Sequence, residues 1–266
     1  MSINRFETAI RKGLRPKKLM VLLGIGLIAS ALHFFQTAPH LGKSRKSGFD
    51  MVKVQGGTFM MGSLYGDEDE RPPHQVTLSG FQIGKYEITQ ADWRDIMGSD
   101  PPELHFKSCD QCPVEMVSWN DAQLFLQKLN ARFSGKQYRL PTEAEWEFAA
   151  RGGNQSGRFE YAGSNDLASV AWVGENSNHQ TQPVGGKPAN ELGLFDMSGN
   201  VWELCQDKKR VYSTTPQVNP VGVDKGNVHR GGGWGDDGDG CRNTFRHDGT
   251  PDYKGNYLGF RIACPL

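Results

Sequence analysis

The stretch from Tyr138 to Gly153 reads YRLPTEAEWEFAARGG and carries the start and end signals of one short helix. Thr142 is a residue of the type that caps a helix N-terminus, and Glu145, three positions later, completes a capping box. Gly152 is suited to ending the helix, because glycine adopts the left-handed conformation without a side-chain clash. The sequence therefore predicts a helix that begins after Thr142 and ends before Gly152.

The sequence on the N-terminal side of this helix predicts two further helices and four strands. SWNDAQLFLQKLNARFSG, which starts at Ser118, places apolar residues at three- and four-residue intervals along one helix face. TQADWRDIMG runs from a capping Thr89 to a terminating Gly98 and predicts a shorter helix. MVKVQGGTFMMGS and HQVTLSGFQIGKYEIT each read as two strands around a glycine turn. After Gly153 the regular elements are expected to be short, with turns dominating.

The composition favours one fold class. Glycine and proline are frequent, with 33 and 14 of the 266 residues, and long apolar helical runs are scarce beyond the N-terminus. These features favour an α+β domain that is irregular and rich in loops over a helical bundle. The chain is long enough to bury an ample core.

The N-terminal region predicts a membrane segment. Residues 1–18 include six Lys and Arg residues, and residues 19–35 contain no Asp, Glu, Lys or Arg. This pattern predicts a transmembrane signal-anchor with a basic cytoplasmic flank. Residues 36–50 read as a linker, and residues 51–266 as a domain outside the cytoplasm, periplasmic or extracellular. A cleaved signal peptide is the alternative, because the ASA at Ala29–Ala31 suits a cleavage site.

The charges of the exported part exclude one class of partner. Beyond residue 46 the chain has 21 Lys and Arg residues against 29 Asp and Glu residues, an excess of eight negative charges. A domain with this balance presents no broad basic surface. We therefore do not expect nucleic acid as a partner.

Five cysteines in an exported chain point to disulfide chemistry. Cys109 and Cys112 form a CxxC in a polar loop, but a zinc site would need a second pair at similar spacing, which the sequence lacks. A local disulfide and two unpaired thiols both remain open for this pair. Cys205, Cys241 and Cys264 are widely spaced, and the odd total leaves at least one thiol without a partner in the same chain.

Seven motifs occur in order along residues 51–264: GGTFMMGS, YEITQADW, PVEMVSWNDA, YRLPTEAEWEFAARGG, GLFDMSGNVWEL, RGGGW and LGFRIA. This series closely resembles the formylglycine-generating enzyme family, also called sulfatase-modifying-factor domains. The resemblance implies a compact, irregular α+β fold related to the C-type lectin fold. It also implies specific positions for metal ions and for the catalytic centre.

The resemblance implies a calcium site in DMSGNVWE. In the family this segment binds calcium through an Asn or Asp side chain, two backbone carbonyls and a Glu. The corresponding residues here are Asp196, Gly199, Val201 and Glu203. The donors are hard oxygen atoms, and Gly199 would permit a tight turn between them. A second calcium site of the family lies in an insertion that this chain lacks, so it is not expected here.

The resemblance also implies that the catalytic copper site is incomplete. Active family members oxidise a substrate cysteine to formylglycine with oxygen and a copper ion held by two cysteines. Cys241 occupies the position of the second cysteine, whereas Asp236 occupies that of the first and Gly233 replaces the usual serine. A thiolate and a carboxylate do not form the two-sulfur site that suits Cu(I). Copper-dependent oxidation is therefore not expected from these two residues.

Related domains bind iron through histidines, which makes iron a further cofactor to consider. No two of the candidate histidines have helical i, i+3 or i, i+4 spacing, so an iron site of two His and one carboxylate would have to assemble in space. The candidates are His74, His105, His179, His229 and His247. The sequence by itself gives no support for an iron site.

The C-terminal stretch from Arg230 predicts a binding face. A frame of Gly, Trp, Cys and Arg is interrupted by residues of the kinds found in antibody paratopes: large aromatic rings beside Gly, Asp, Asn and His. The spacing resembles the variable region of retroelement-diversified lectin-fold proteins. The predicted binding face consists of Trp234, Gly235, Asp236, Asp237, Gly240, Phe245, His247, Asp248, Thr250, Tyr253, Asn256 and Tyr257. Its expected ligand is a protein, a peptide or a glycan.

Two function classes follow from these observations. The first is a membrane-anchored, extracytoplasmic binding domain that uses its C-terminal face and has an incomplete copper site. The second is an oxygen-dependent, metal-assisted oxidase that modifies a cysteine or aromatic residue of a peptide or protein. Asp236 at a copper-cysteine position favours binding, while the otherwise intact motif series favours enzymology. We expect a binding domain.

Overall fold

A computed structural model describes residues 49–266 of the chain. The predicted basic segment and transmembrane segment, residues 1–35, lie outside the described residues, as does nearly all of the predicted linker. Across residues 49–266, no helix combines the length and apolar character needed to cross a membrane.

The described residues form a mixed α+β fold with much of the chain in loops, as the composition predicts. The helices are α1 (Gln90–Met97), α2 (Trp119–Arg132), α3 (Glu143–Ala150) and α4 (Leu167–Val170), with short 3-10 turns at Glu68–Glu70 and Gly153–Gln155. The strands are β1 (Met51–Val54), β2 (Gly57–Met61), β3 (His74–Leu78), β4 (Phe81–Gly84), β5 (Trp202–Lys209), β6 (Gln217–Val218), β7 (Lys225–Arg230), β8 (His247–Gly249), β9 (Leu258–Gly259) and β10 (Ala263–Pro265).

The strands of residues 49–266 pair into three small sheets, with the orders β1-β4-β10, β2-β3-β6 and β8-β7-β5-β9. The predicted N-terminal strands are confirmed, but β1 pairs with β4 and β2 pairs with β3. The Gly-Gly turn therefore joins two sheets. A side chain on Gly56 would come within 2.5 Å of the Leu78 carbonyl oxygen, so this crossing requires glycine.

The three predicted helices are confirmed together with their caps. In α3 the Thr142 hydroxyl accepts from the Glu145 amide, and the Glu145 carboxylate accepts from the Thr142 amide at 2.9 Å. Gly152 follows the helix with a φ of 87°, in the left-handed region that favours glycine. Thr89 and Ser118 form the same capping box at α1 and α2. Local capping signals therefore fixed all three helix starts.

The expectation of short elements in the C-terminal half is wrong for two strands. Strand β5 has eight residues and β7 has six, so this half contains the longest strands among the described residues. Neither strand alternates apolar and polar residues, because both faces of each are largely buried and charged residues such as Glu203 and Arg230 lie inside. A sequence search for half-buried strands therefore misses them.

Strand β5 lies between two apolar clusters that form most of the core. Cys205 packs in the cluster around α3, whose eight residues are all buried. Trp202 and Leu204 pack in the other cluster, with Phe125 of α2 and Phe260. Because successive side chains of a strand point to opposite faces, β5 contacts both clusters and joins the two halves of the domain.

The buried surface of α3 carries carboxylates that are paired with arginines. Both Glu143 oxygens accept from Arg246 at 2.7 Å, and the Glu147 carboxylate accepts from Arg151 and Arg230. Glu143, Glu147 and Arg230 have no exposed surface. Arginines of β7 and of the segment before β8 are thereby attached to the helix predicted from sequence.

The disulfide question is answered for one cysteine pair. Cys109 and Cys112 form the local disulfide, which was one of the two alternatives left open by the sequence. The bridged loop lies at the start of α1, where the Gln90 amide donates to the Cys112 carbonyl. Cys205, Cys241 and Cys264 are free and buried.

We expect Glu147→Gln to destabilise the protein by about 3–5 kcal/mol, because it leaves a buried guanidinium without its full counter-charge. The Glu147 carboxylate also accepts from the Gly62 amide, so the change also weakens the link to β2. Urea unfolding of the full chain, followed by tryptophan fluorescence, measures the loss. Glu175→Gln, at an exposed site, is the control. Equal stabilities for the two variants would contradict a structural role for the network.

Asp207 provides a test of stability against pH. Its side chain is buried in β5, where it accepts from the Glu143 amide at 3.1 Å and the Gly222 amide at 2.9 Å. Burial, and then the negative charge of Glu143, raise the pKa of Asp207 to about 7. The folded state therefore holds this proton more tightly than the unfolded state, so rising pH removes stability until the folded pKa is passed.

We expect wild type to lose about 3 kcal/mol relative to Asp207→Asn between about pH 5 and about pH 8, because the asparagine does not titrate. Unfolding free energies of both proteins across this range give the difference at each pH. Parallel curves would show that the ionisation of Asp207 does not affect stability.

Candidate functional site

The segment predicted to bind calcium forms a tight turn before β5. Asp196, Gly199 and Asn200 have φ angles of 56°, 80° and 64°. A side chain on Gly199 would lie 2.4 Å from the Trp172 carbonyl oxygen. The predicted need for glycine at this turn is confirmed, and it arises from contact with a neighbouring backbone as well as from the φ angle.

Three buried carboxyl groups meet one guanidinium group beside this turn. Glu203 is bonded to Arg261 through both oxygens at 2.6 Å, and it also accepts from the Trp146 indole at 2.8 Å. Glu87 accepts from the Asn200 side chain at 2.7 Å and from the backbone amide of the next residue at 3.1 Å. Asp196 accepts from one amide through Oδ2, and its Oδ1 is buried without a hydrogen-bond partner.

Burial, followed by neighbouring negative charge, raises the pKa values of Asp196 and Glu87. Burial raises the pKa of Asp196 to about 6, and nearby Glu203 adds to the rise. Burial, followed by the charges of Asp196 and Glu203, raises the pKa of Glu87 well above its usual value. Glu87 was missed by the sequence analysis; its signal was an acidic residue within the apolar YEIT stretch.

The residues fit a calcium ion in part. The unbonded Oδ1 of Asp196 is a free anionic donor of the kind that calcium requires. The carboxylate of Glu203 is engaged by Arg261 through both oxygens and is not free to bind an ion as it stands. Within residues 49–266, three or more His, Cys, Asp or Glu side chains are nowhere arranged to hold a metal ion.

Asp236, at the position of the first copper cysteine, is held as a structural carboxylate. Its Oδ2 accepts from the Trp202 indole at 2.6 Å and from the Gly233 amide at 2.7 Å. Burial raises the pKa of Asp236, while these two hydrogen bonds oppose the rise. The side chain thus closes the turn between Gly233 and Asp236 and fixes the indole of Trp202.

Cys241 lies in a small apolar cluster with Ala171 and Val173 and has no exposed surface. Burial, and then the nearby charge of Asp236, raise the pKa of its thiol. A thiol in this environment stays protonated, and only the thiolate binds metals and acts as a nucleophile. Cys205 and Cys264 belong to the other two clusters, so no second sulfur is placed beside Cys241.

A cavity of about 680 Å³ lies in front of Asp236. Nine of the twelve residues of the predicted binding face line it: Trp234, Gly235, Asp236, Asp237, Gly240, Phe245, His247, Asn256 and Tyr257. The lining also includes Trp202, His229 and Asp239, which the sequence analysis did not assign to the face. Volume and aromatic lining are typical of a ligand site.

Three predicted binding-face residues lie outside the cavity lining. Asp248 is paired with Lys209 at 2.8 Å. Thr250 is exposed beyond the end of β8. The Tyr253 ring stacks on His229 with centroids 6.0 Å apart, and its hydroxyl is hydrogen-bonded to that of Tyr257. Tyr253 therefore contacts two lining residues, His229 and Tyr257, without lining the cavity itself.

The cavity brings together two histidines that are distant in sequence. His229 and His247 are cross-strand partners of β7 and β8, with ring centroids 5.9 Å apart. His229 is 3% exposed, and burial, followed by the charge of His247, lowers its pKa to about 4. This pairing depends on strand register, which the sequence analysis did not predict. His74, His105 and His179 do not line the cavity.

Comparison with known proteins decides the family. The family model described as the sulfatase-modifying factor enzyme 1-like domain matches residues 37–266. This chain belongs to that family. Its mixed α+β architecture is the C-type-lectin-like fold of sulfatase-modifying factor domains, as the motif series indicated.

Relatives within the sulfatase-modifying factor family have different names. The Paenibacillus barcinonensis protein named chaperone protein LppX is 36% identical, covering 70% of this chain and 78% of that protein. The formylglycine-generating enzyme of Streptomyces coelicolor is 30% identical, and the match covers 80% of this chain and 88% of that enzyme. The solved structure of Treponema denticola variable protein 1 superposes with a TM-score of 0.74 at 30% identity. The superposition covers 85% of this chain and 98% of that protein.

The chain spans only 38% of the length of serine/threonine-protein kinase Pkn1 of Chlamydia trachomatis serovar L2, to which it is 30% identical. The likeness is therefore confined to one part of that protein. Because the relatives have such different names, membership of the family does not by itself decide whether this chain oxidises a substrate or has another function.

Proposed function

We propose that this chain is a binding member of the sulfatase-modifying factor family, anchored to a membrane and exposed outside the cytoplasm. It holds a protein, peptide or glycan ligand in the cavity in front of Asp236. Anchoring rests on the uncharged segment of residues 19–35 and its basic flank.

The observation that carries the proposal is the state of the copper position. Asp236 is bonded to Trp202 and Gly233, and Cys241 is buried away from the cavity lining. Copper oxidation in this family needs two thiolates at these positions, whereas this chain has Asp236 in place of the first cysteine and buries the second, Cys241. The space in front of Asp236 is thus available to a ligand without a metal.

The cavity walls support binding as the remaining use of the site. The indole of Trp234 donates to the Asn256 carbonyl at 2.9 Å. The ring of Phe106 packs against this indole, with ring centroids 5.4 Å apart. Rings held in this way lose little conformational entropy when a ligand binds. A relative named as a chaperone and another named as a variable protein agree with a binding role.

Metal content and peptide oxidation test this function. We expect the full chain, purified under mild reduction, to contain no stoichiometric copper or iron. We also expect it to leave a cysteine-containing sulfatase-type peptide unchanged in mass under oxygen, with or without added Cu(I), because the two-thiolate site is missing. The Streptomyces coelicolor formylglycine-generating enzyme is the positive control.

Cys241→Ser provides the matched variant for this experiment. Stoichiometric Cu(I) that is lost in Cys241→Ser, together with oxidation of the peptide, would contradict the proposal and make the chain an oxidase. Unchanged behaviour of the variant agrees with a thiol that has only a packing role.

Calcium is proposed as a structural ion beside Asp196. Three buried carboxyl groups face a single guanidinium group, so a cation there would balance the excess charge. Asp196 Oδ1 would be its first donor, and the carbonyls of Gly199 and Val201 are the backbone donors implied by the family. Glu203 would join only by giving up a bond to Arg261.

We expect calcium to raise the unfolding temperature of chelator-treated full chain at neutral pH, and magnesium to do so less, because its rigid octahedral preference suits this turn poorly. Asp196→Asn should weaken calcium binding at least about tenfold, since the site loses a charge. In chelator the variant should be no less stable than wild type, because an unbalanced buried carboxylate is removed. Equal calcium affinity for both proteins would contradict this site.

A further inference from the structure

The charges that line the cavity all have one sign. Three aspartates line it, whereas no Lys or Arg does so among residues 49–266. Asp239 lies 3.7 Å from Arg242, but Asp236 and Asp237 form no ion pair within the part of the chain that the structure describes. Among residues 49–266, the carboxylate of Asp237 accepts only from the Asp239 amide. Within the described residues, these two carboxylates therefore have no Lys or Arg as a counter-charge.

Aromatic rings form the walls between these carboxylates. Trp202 and Phe245 have ring centroids 5.8 Å apart, and Trp234 and Tyr257 complete the aromatic lining. The faces of such rings attract cations through their quadrupoles, and tryptophan does so most strongly. The walls and the unpaired carboxylates therefore favour the same type of ligand, a cation with apolar surface.

His229 adds a polar group that has no hydrogen-bond partner among residues 49–266. It lines the cavity at 3% exposure, and its contacts within residues 49–266 are ring stacks with His247 and Tyr253. Neither of its ring nitrogens is hydrogen-bonded there. A buried polar side chain normally has a hydrogen-bond partner, so an unpaired one that lines a cavity can pair with a group supplied by a ligand. A neutral imidazole can accept a hydrogen bond from an N–H donor.

We infer that the cavity binds an organic cation, specifically a primary ammonium or guanidinium group on an alkyl stem, as in a lysine or arginine side chain. Asp237 and Asp236 supply the counter-charge, the aromatic rings contact the stem and the cation, and His229 accepts from one N–H group. This inference rests on the proposed binding function and names its ligand class. A carboxylate or phosphate ligand is disfavoured by the same aspartates.

Titration of the full chain with four small probes tests the inference. The probes are the N-acetylated tripeptide amides Gly-Arg-Gly, Gly-Lys-Gly and Gly-citrulline-Gly, together with free agmatine. Citrulline has the shape of arginine without its charge, which makes it the matched control ligand. Calorimetry should show the arginine and lysine peptides binding at least about tenfold more tightly than the citrulline peptide. Added salt should weaken the binding of the charged probes and leave the binding of the citrulline peptide unchanged.

Three variants assign the effect to the cavity. Asp237→Asn should weaken arginine-peptide binding about tenfold and leave the citrulline peptide unaffected. His229→Phe keeps the ring stack but removes the imidazole acceptor, so it should also weaken the binding of the charged probes. Asp224→Asn, at an exposed aspartate outside the cavity lining, is the control and should bind as wild type does. Circular dichroism of each variant checks that the fold is retained.

The outcomes separate the inference from the function on which it rests. Equal affinity for the arginine and citrulline peptides would contradict recognition of a cation but not the proposed binding function. The same holds if Asp237→Asn binds the arginine peptide as tightly as Asp224→Asn does. Binding of none of the probes also overturns the inference. Oxidation of the cysteine peptide in the copper experiment overturns the proposed function itself. Agmatine binding as tightly as the arginine peptide would identify the cationic group alone as the recognised feature, whereas tighter peptide binding would favour a polypeptide source.

Discussion

The pairing of buried glutamates on α3 with arginines from the C-terminal half is the interaction on which the rest of the structure depends. Arg230 reaches Glu147 and Glu143 from the end of β7, and the turn at Gly231 and Gly232 follows immediately. A side chain on Gly232 would lie 2.5 Å from the Cys241 sulfur. The ion pairs therefore fix the point at which the chain leaves the core and begins to form the cavity. Breaking such a pair costs more than its net contribution to stability, since the partner stays buried.

The proposed binding function depends on a few side chains at the positions where the family resemblance implies a copper site. At the position of a copper cysteine, Asp236 bonds to the indole of Trp202 and closes a turn. The carboxylate gives the cavity a fixed wall and a negative charge, where a thiolate would give it a soft metal donor. Cys241 then has no partner sulfur and behaves as a small buried apolar residue. On the proposed function, Asp236 in place of a cysteine makes the site suited to a ligand rather than to copper.

Features that depend on local signals were predicted from the sequence, whereas features that depend on contacts between distant residues were missed. The caps at Thr89, Ser118 and Thr142 act within a single turn, so the sequence predicted the three helices. Strand β5 has no alternating pattern because both of its faces are buried, and it was missed. Nine residues of the predicted binding face line the cavity, but His229 and Trp202 come from the neighbouring strands β7 and β5. Their place in the cavity depends on the register of β7 and β5, which no short motif encodes.

The indole N–H resonances of the tryptophans offer the most direct test that this cavity is the functional site. Trp202 and Trp234 line it, whereas the other four tryptophans, Trp93, Trp119, Trp146 and Trp172, do not. The full chain, isotope-labelled and titrated with the arginine tripeptide under oxygen, should show shifts confined to the Trp202 and Trp234 indole signals, with no change in protein or peptide mass. Shifts at the other indoles without those two, or an oxidised product, would contradict the account of a binding cavity in front of Asp236.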